Sequence, residues 1–400
     1  MKKPIRKKPG IRGGGGAASV APSAAEDAEP KKSGFKKRTA VPLPEEFEPE
    51  VPILPGELGI TVNTIMKSKT YGAPFILGSS KRMDRGYNST GILAVDLGLG
   101  GGWRKSSTGM VIGEKSSGKS TLYLRTIARF QRMNPDKYAA WLDIEGTLDK
   151  AWARKNGVDM DRLLVVEPET GEHAVDLVDA MLRAIEIGIT VTDSIAMLVP
   201  MKEIDESAEQ ETMALQARLM GKFMRKANNA IIKERQRGHE PTLLNINQWR
   251  SKVGLVFGDP RSVPGGKIVE FSTTQQLEIK NKEQTEKGAD TDTEVVYNQH
   301  EVKVTKNKSG GPVKEAMFKL IRQSGFEGMP EGWVDQAKSV RVYASRVGLC
   351  DGSPTSYQFD GVPLKFRSAA EFTTWAIENQ EAYDDLLDRI IVGHRTMWGL

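Results

Sequence analysis

A single cysteine, Cys350, is the whole cross-linking capacity of this 400-residue sequence. That excludes an internal disulfide framework and any cysteine-rich zinc site, and it fits a reducing compartment. Histidine is nearly as scarce: four residues, at 173, 239, 300 and 394, are too scattered for a His-rich metal cluster. No run approaches the ~18 consecutive apolar residues that a membrane span needs, so no membrane partner is expected. The opening MKKPIRKKPGIRGGGG has a basic run but no apolar stretch behind it, which argues against a secretory signal and for a cytoplasmic location. What remains, 38% hydrophobic and 27% charged, is the composition of a soluble folded chain rather than a wholly disordered one.

Charge is unevenly spread. Residues 1–38 hold 11 Lys/Arg against Glu26, Asp27 and Glu29, a local +8, while the whole chain is +5, so residues 39–400 carry −3. The basic excess therefore belongs to the tail and says nothing of the body. With too few apolar groups to offset the entropy of ordering, the tail reads as disordered. It is either a contact for phosphates or an acidic partner, or a solvated leader. Residues 41–55, rich in proline and glutamate, read as an extended linker, which closes a first segment at 1–55.

Beyond it, a short helical stretch and a possible strand at 73–77 make up a docking segment at 56–88. Short β-branched runs then alternate with longer amphipathic ones. Strands are expected at 108–112, 139–143, 163–166, 190–193 and 242–246, with helices such as 120–133 and 173–187 between them. That alternation predicts an α/β fold, a mostly parallel sheet covered on both faces. Runs at 268–280 and 295–305 lack a helix between them and predict an antiparallel extension. A composition shift at 325–330 (GFEGMPEG) ends this 89–330 core. A small α/β unit follows at 331–400, with a helix near 333–347, short strands around 357–366 and a helix from 369. No internal repeat is present.

The segment Gly113-Glu114-Lys115-Ser116-Ser117-Gly118-Lys119-Ser120-Thr121 contains G-x-x-x-x-G-K-[ST] between an expected strand and an expected helix. Glycines let backbone N–H groups wrap phosphates, and the helix N-terminus adds partial positive charge. Lys119 would reach the terminal phosphates, and the Ser120 hydroxyl would ligate Mg²⁺. ATP and Mg²⁺ are the cofactors expected. Asp193, ending the run Thr190-Val191-Thr192-Asp193, suits an outer-shell partner of the metal, although a strand-end Asp also serves as a simple cap. Glu145, in Asp143-Ile144-Glu145, is placed to orient or deprotonate a water, or is a solvated loop carboxylate.

Several long stretches then fall in one order: GEKSSGKSTL, WLDIEGTLDKAWARKNGVDMDRLLVVEPETGEHAVDLVDAML, TDSIAMLVPMKEID, NINQWRSKVGLVFGDPRSVPGG and VKVTKNKSGGP. Together they resemble RecA-type DNA strand-exchange recombinases, a phage-encoded member included. The likeness is strong over about 60–330 and weaker over 331–395. It implies a P-loop ATPase core, a DNA-dependent ATPase activity and a helical homo-polymer on single-stranded DNA that engages double-stranded DNA.

The resemblance also implies roles. Lys119 and Ser120 hold phosphates and metal, and Glu145 activates the attacking water. Asp149 and Trp152 contact adenine, Trp152 by stacking, although from the residues alone Trp152 could equally be core. Gln248 senses the terminal phosphate and passes its presence to the loop that follows. Lys306 and Lys308 reach ATP across the subunit boundary; without the resemblance a KNK turn reads as solvated surface. Two loops, 203–213 and 249–266, would face DNA. Arg218, Arg225 and Arg250 contact phosphates, Met213, Val253 and Phe257 supply apolar contacts, and Gly265 and Gly266 end a loop ordered on binding. Phe271 resembles a subunit-interface aromatic, although an aromatic in an expected strand is more often plain packing.

Departures from the family pattern are equally specific. Glu270 and Gln276 stand where basic residues are expected near the interface, and Lys267 where a neutral polar one is. The first loop is acidic, and the chain ends in GHRTMWGL without the family's common acidic tail, which implies weaker Mg²⁺ dependence of duplex capture. Two rivals share the motifs: a ring-forming DNA helicase motor and a non-catalytic, ATP-gated single-strand-binding mediator. The stretch 248–266 and the C-terminal unit favour the recombinase.

Overall fold

The computed structural model describes residues 56–67, 83–202, 213–251, 261–287 and 293–400. The basic tail, the linker and the expected strand at 73–77 lie outside them.

Helix α1 (Gly56–Lys67) is followed by a short antiparallel pair, β1 (Tyr87–Asn88) and β2 (Trp103–Arg104), which brackets α2 (Leu93–Leu99). The alternating region then runs β3 (Thr108–Gly113), α3 (Lys119–Met133), β4 (Tyr138–Asp143), α4 (Lys150–Lys155), β5 (Leu163–Val166), α5 (Gly171–Arg183), β6 (Ile187–Asp193), α6 (Met213–Gln236) and β7 (Thr242–Gln248). Two-residue strands β8 (Arg250–Ser251) and β9 (Arg261–Ser262) pair with each other. After them come α7 (Gly266–Ser272), β10 (Gln275–Lys287), β11 (Thr293–Asn307), β12 (Glu315–Ile321) and β13 (Val334–Asp335). The chain closes with α8 (Ala337–Arg346), β14 (Cys350–Ser353), β15 (Ser356–Phe359), β16 (Lys365–Phe366), α9 (Ala369–Glu378) and α10 (Gln380–Met397).

One nine-stranded sheet has the order β13-β12-β11-β10-β3-β7-β6-β4-β5. From β10 to β5 the pairing is parallel, and β11 to β13 add an antiparallel flank. Strand β3 is buried along its length because both of its faces are covered, which is why TGMVIG reads as a continuous run rather than an alternating one. Successive residues still point to opposite faces. Val111 joins Leu122, Ile127, Phe130 and Trp141 in one core, whereas Met110 and Ile112 join Val178, Phe223 and Met224 in the other.

Two expected elements are corrected. Residues 268–272 are helical, not the start of a strand. Gly265, at φ +87°, turns the chain into α7, and one turn buries Val269 while leaving Phe271 outside. A local apolar, β-branched run thus yields to the backbone turn before it, and the strand begins at Gln275. Helix α5 ends at Arg183 rather than 187: the apolar rhythm of Ile185 and Ile187 continues in sequence, but Ile187 already pairs with Tyr138 in the sheet.

The main sheet also runs past 330, since Val334–Asp335 pairs with Lys319–Leu320. A third core follows, in which Phe359, Phe366, Phe372 and Trp375 pack with Leu386 and Ile390, and with Leu93 and Leu97 of α2. Arg129 of α3, 1% exposed, fastens α10 to this body through Asp384 (2.5 Å) and Asp388 (2.7 Å).

Candidate functional site

The parallel strands β3, β7, β6 and β4 are neighbours, and their C-terminal ends lie level: Gly113 opposite Gln248, and Asp143 opposite Asp193. Ligand sites form at such strand ends in open α/β sheets. Here the chain after β3 makes the phosphate loop before entering α3. Its turn requires left-handed backbone at Ser116 (φ +59°) and Gly118 (φ +97°). A side chain on Gly113 would put Cβ 2.4 Å from Ser117 Oγ, so the close approach explains that glycine. Lys119, buried, donates from Nζ to the carbonyls of Gly113 (3.1 Å) and Glu114 (2.5 Å). Burial pushes its ammonium pKa down, partly offset by the charges of Asp193, Glu145 and Glu114. A buried cation whose hydrogen bonds go to two backbone carbonyls suits an anionic ligand.

Ser120 Oγ donates to Asp193 Oδ2 at 2.7 Å. Burial raises the Asp193 carboxyl to about 6, with the hydrogen bond from Ser120 opposing it. Glu145, half-buried, accepts two hydrogen bonds on one oxygen, from Ser194 Oγ (2.5 Å) and Gln248 Nε2 (2.8 Å). The other carboxylate at this edge, Asp143, is engaged by the backbone N–H groups of Thr147 and Leu148. It shapes the loop that presents Glu145.

Asp149 caps α4, accepting from the N–H of Ala151 and of Trp152. The Trp152 indole donates to Thr121 Oγ1 at 3.0 Å, packs its edge on the main core, and carries the Arg322 guanidinium 4.3 Å from its ring centroid. A cleft of about 340 Å³ runs from Ser116–Thr121 past Asn298 and His300 to Arg322.

Lys306 and Lys308 are not brought to this loop. On β11, Lys306 faces Gln276, which pairs with Met110 near the start of β3, whereas the phosphate loop follows the end of β3. Lys306 Nζ donates to the Glu270 carbonyl, beside Phe271, which is 67% exposed. Burial lowers the Lys306 pKa, and its neighbour Lys308 lowers it further. Of the departures, Glu270 and Lys267 are exposed on α7, and Gln276 is buried.

Of the expected DNA-facing residues, Met213 opens α6, while Arg218 and Arg225 are exposed along it. Arg250, exposed, hydrogen-bonds the Ala196 carbonyl (3.0 Å) and Gln216 (3.3 Å). Gly265 and Gly266 begin α7. Val253 and Phe257 lie outside the described residues, as does most of the first loop.

Sequence reasoning missed Ser194, Asn281, His300 and Arg322. Ser194 follows Asp193 directly and could have been found by adjacency. His300 sits on the inward face of β11 with Val296, Asn298, Val302 and Val304, a period of two that marks it as buried. No sequence pattern places it at residue 117.

The family model described as RecA N-terminal domain matches residues 57–327. Among curated relatives, Protein RecA of Halalkalibacterium halodurans is 34% identical over 336 residues, 83% of this chain and 90% of the relative. Protein RecA of Arthrospira platensis is 38% identical over 270 residues, covering 67% and 71%. Protein RecA of Leifsonia xyli subsp. xyli is 39% identical over 256 residues, covering 64% and 69%.

Proposed function

The chain belongs to the RecA family, and from that premise we propose that its site binds ATP and couples hydrolysis to DNA through Gln248. As a member it is a DNA-dependent ATPase and a recombinase of recombination and repair. In the proposed arrangement the phosphate loop 113–120 receives the triphosphate, with Lys119 released from its two carbonyls to the phosphate oxygens. Trp152, Asp149 and Arg322 border the base side. Ser120 would hold Mg²⁺ and Asp193 would support it from its outer shell; the ion, when bound, supplies charge neutralisation at the phosphates. Glu145 orients and deprotonates water. Single-stranded DNA lies along 203–213 and 249–266, with Arg218, Arg225 and Arg250 on phosphates. Lys306 and Lys308 serve the nucleotide of an adjacent copy in a filament.

The observation that carries this reading is the 2.8 Å hydrogen bond from Gln248 to Glu145. It ties the water-activating carboxylate to the strand end from which the second loop departs. A change at either end is felt at the other, and that is the coupling a DNA-gated ATPase requires. Hydrolysis by Glu145→Gln and Gln248→Ala, with and without single-stranded DNA, tests it. Glu145→Gln should bind ATP and lose hydrolysis by about 10²-fold or more. Gln248→Ala should keep basal turnover and lose the stimulation by DNA. Full stimulation in Gln248→Ala would refute the coupling.

A further inference from the structure

The β10–β11 hairpin touches the phosphate loop with two facing side chains. Asn281 and His300 are direct partners across the strands, so they project side by side from one face of the hairpin. Asn281 Nδ2 donates to the Ser116 carbonyl at 3.3 Å, and His300 Nδ1 lies 3.1 Å from the Ser117 carbonyl. Two consecutive carbonyls of the loop are thereby held from outside. The imidazole is itself fixed, 1% exposed and stacked on Phe318 with centroids 4.7 Å apart. Above it the loop fits so closely that a Cβ on residue 118 would lie 2.5 Å from His300 Cε1.

A trans peptide points its C=O and N–H in opposite directions. Holding the Ser117 oxygen outward therefore turns the Gly118 N–H inward, where a phosphate oxygen would be received. The Ser116–Ser117 peptide is held in the same way at its oxygen, while its N–H makes only a long 3.3 Å turn bond to the Glu114 carbonyl. We infer that Asn281 and His300 are positioning residues that preset the phosphate-binding N–H groups of the loop before nucleotide arrives. The inference rests on the reading of 113–120 as a nucleotide site. The pair acts on affinity rather than on the chemical step, because neither residue touches Glu145 or its partners Ser194 and Gln248 in the contacts that hold that carboxylate.

The test measures binding of a fluorescent ATP analogue, and ATP hydrolysis at varied ATP, on the full chain. Wild type is compared with His300→Leu, His300→Asn and Asn281→Ala. Leucine fills a similar volume without a donor, and asparagine keeps an N–H near the place of Nδ1. His300→Leu should bind about tenfold more weakly, and Asn281→Ala a few-fold more weakly, as expected for one lost hydrogen bond each. KM should rise accordingly while kcat at saturation stays within about twofold. His300→Asn should recover most of the affinity. Unchanged affinity in a folded His300→Leu or in Asn281→Ala would overturn the inference, as would equal losses with leucine and asparagine. Should His300→Leu not fold, half-buried Asn281 decides: weaker binding with kcat retained supports the pair, and wild-type binding overturns it. Failure of wild type to bind the analogue would instead contradict the nucleotide site itself.

Discussion

At the scale of residues, the site works by keeping a few polar groups dry and already oriented. Lys119, Asp193 and His300 are all buried, and each has its pKa moved by that burial in the direction that disfavours charge. His300 gives a stability test. Burial pushes its imidazole from 6.5 down to about 4, and the positive charge of Arg322 acts in the same direction. Between those values the unfolded chain binds a proton that the folded chain refuses. The contribution is therefore full above pH 6.5 and lost as pH falls toward 4. Relative to His300→Asn, wild type should lose on the order of 2 kcal/mol between pH 7 and pH 4.5, read from denaturant midpoints. A difference that stays flat with pH would contradict a buried neutral ring. Lys119 and Ser120 were legible in the sequence because their chemistry is fixed by spacing within eight residues. His300 and Arg322 were not, because strand pairing brings them to the loop from nearly two hundred residues away.

At the scale of elements, the β10–β11 hairpin has two ends with different work. His300 lies against the chain's own phosphate loop; Lys306, six residues on and roughly 20 Å along an extended strand, lies toward the opposite end of the strands, level with the start of β3. That separation suits Lys306 to a nucleotide held by another copy. Lys306→Ala should therefore lose most of its DNA-stimulated hydrolysis while ATP affinity changes by less than about twofold. An equal effect on unstimulated turnover would argue against action in trans. Strands such as 163–166 were read directly from their composition. Helix α7 is not legible in the sequence, because a short apolar run does not reveal its period and the left-handed turn at Gly265 sets the path. The junction of α10 with the core was not legible either, since Arg129 gives no local sign that its partners are Asp384 and Asp388. Removing that cation from between two carboxylates, one of them nearly fully buried, should be costly. Arg129→Ala should lose on the order of 3 kcal/mol in urea unfolding. A loss below about 1 kcal/mol would place that ion pair among the weak ones.

At the scale of the whole molecule, the body of the chain outside the basic tail is slightly acidic, and we propose that the positive charge it offers DNA comes from local groups such as Arg218, Arg225 and Arg250. Their contacts to phosphates would make binding weaken as salt displaces them. Family membership carries the recombinase function, and we propose the Glu145–Gln248 hydrogen bond as its physical link between nucleotide and DNA. A helicase motor would share the phosphate loop and strand-end carboxylates, and a mediator would lack productive hydrolysis. The most direct test is steady-state ATP hydrolysis with and without single-stranded DNA over a series of salt concentrations. A DNA-gated site should show strong stimulation that fades as salt rises, followed by strand exchange under the low-salt conditions. Hydrolysis indifferent to DNA at every salt concentration would contradict it.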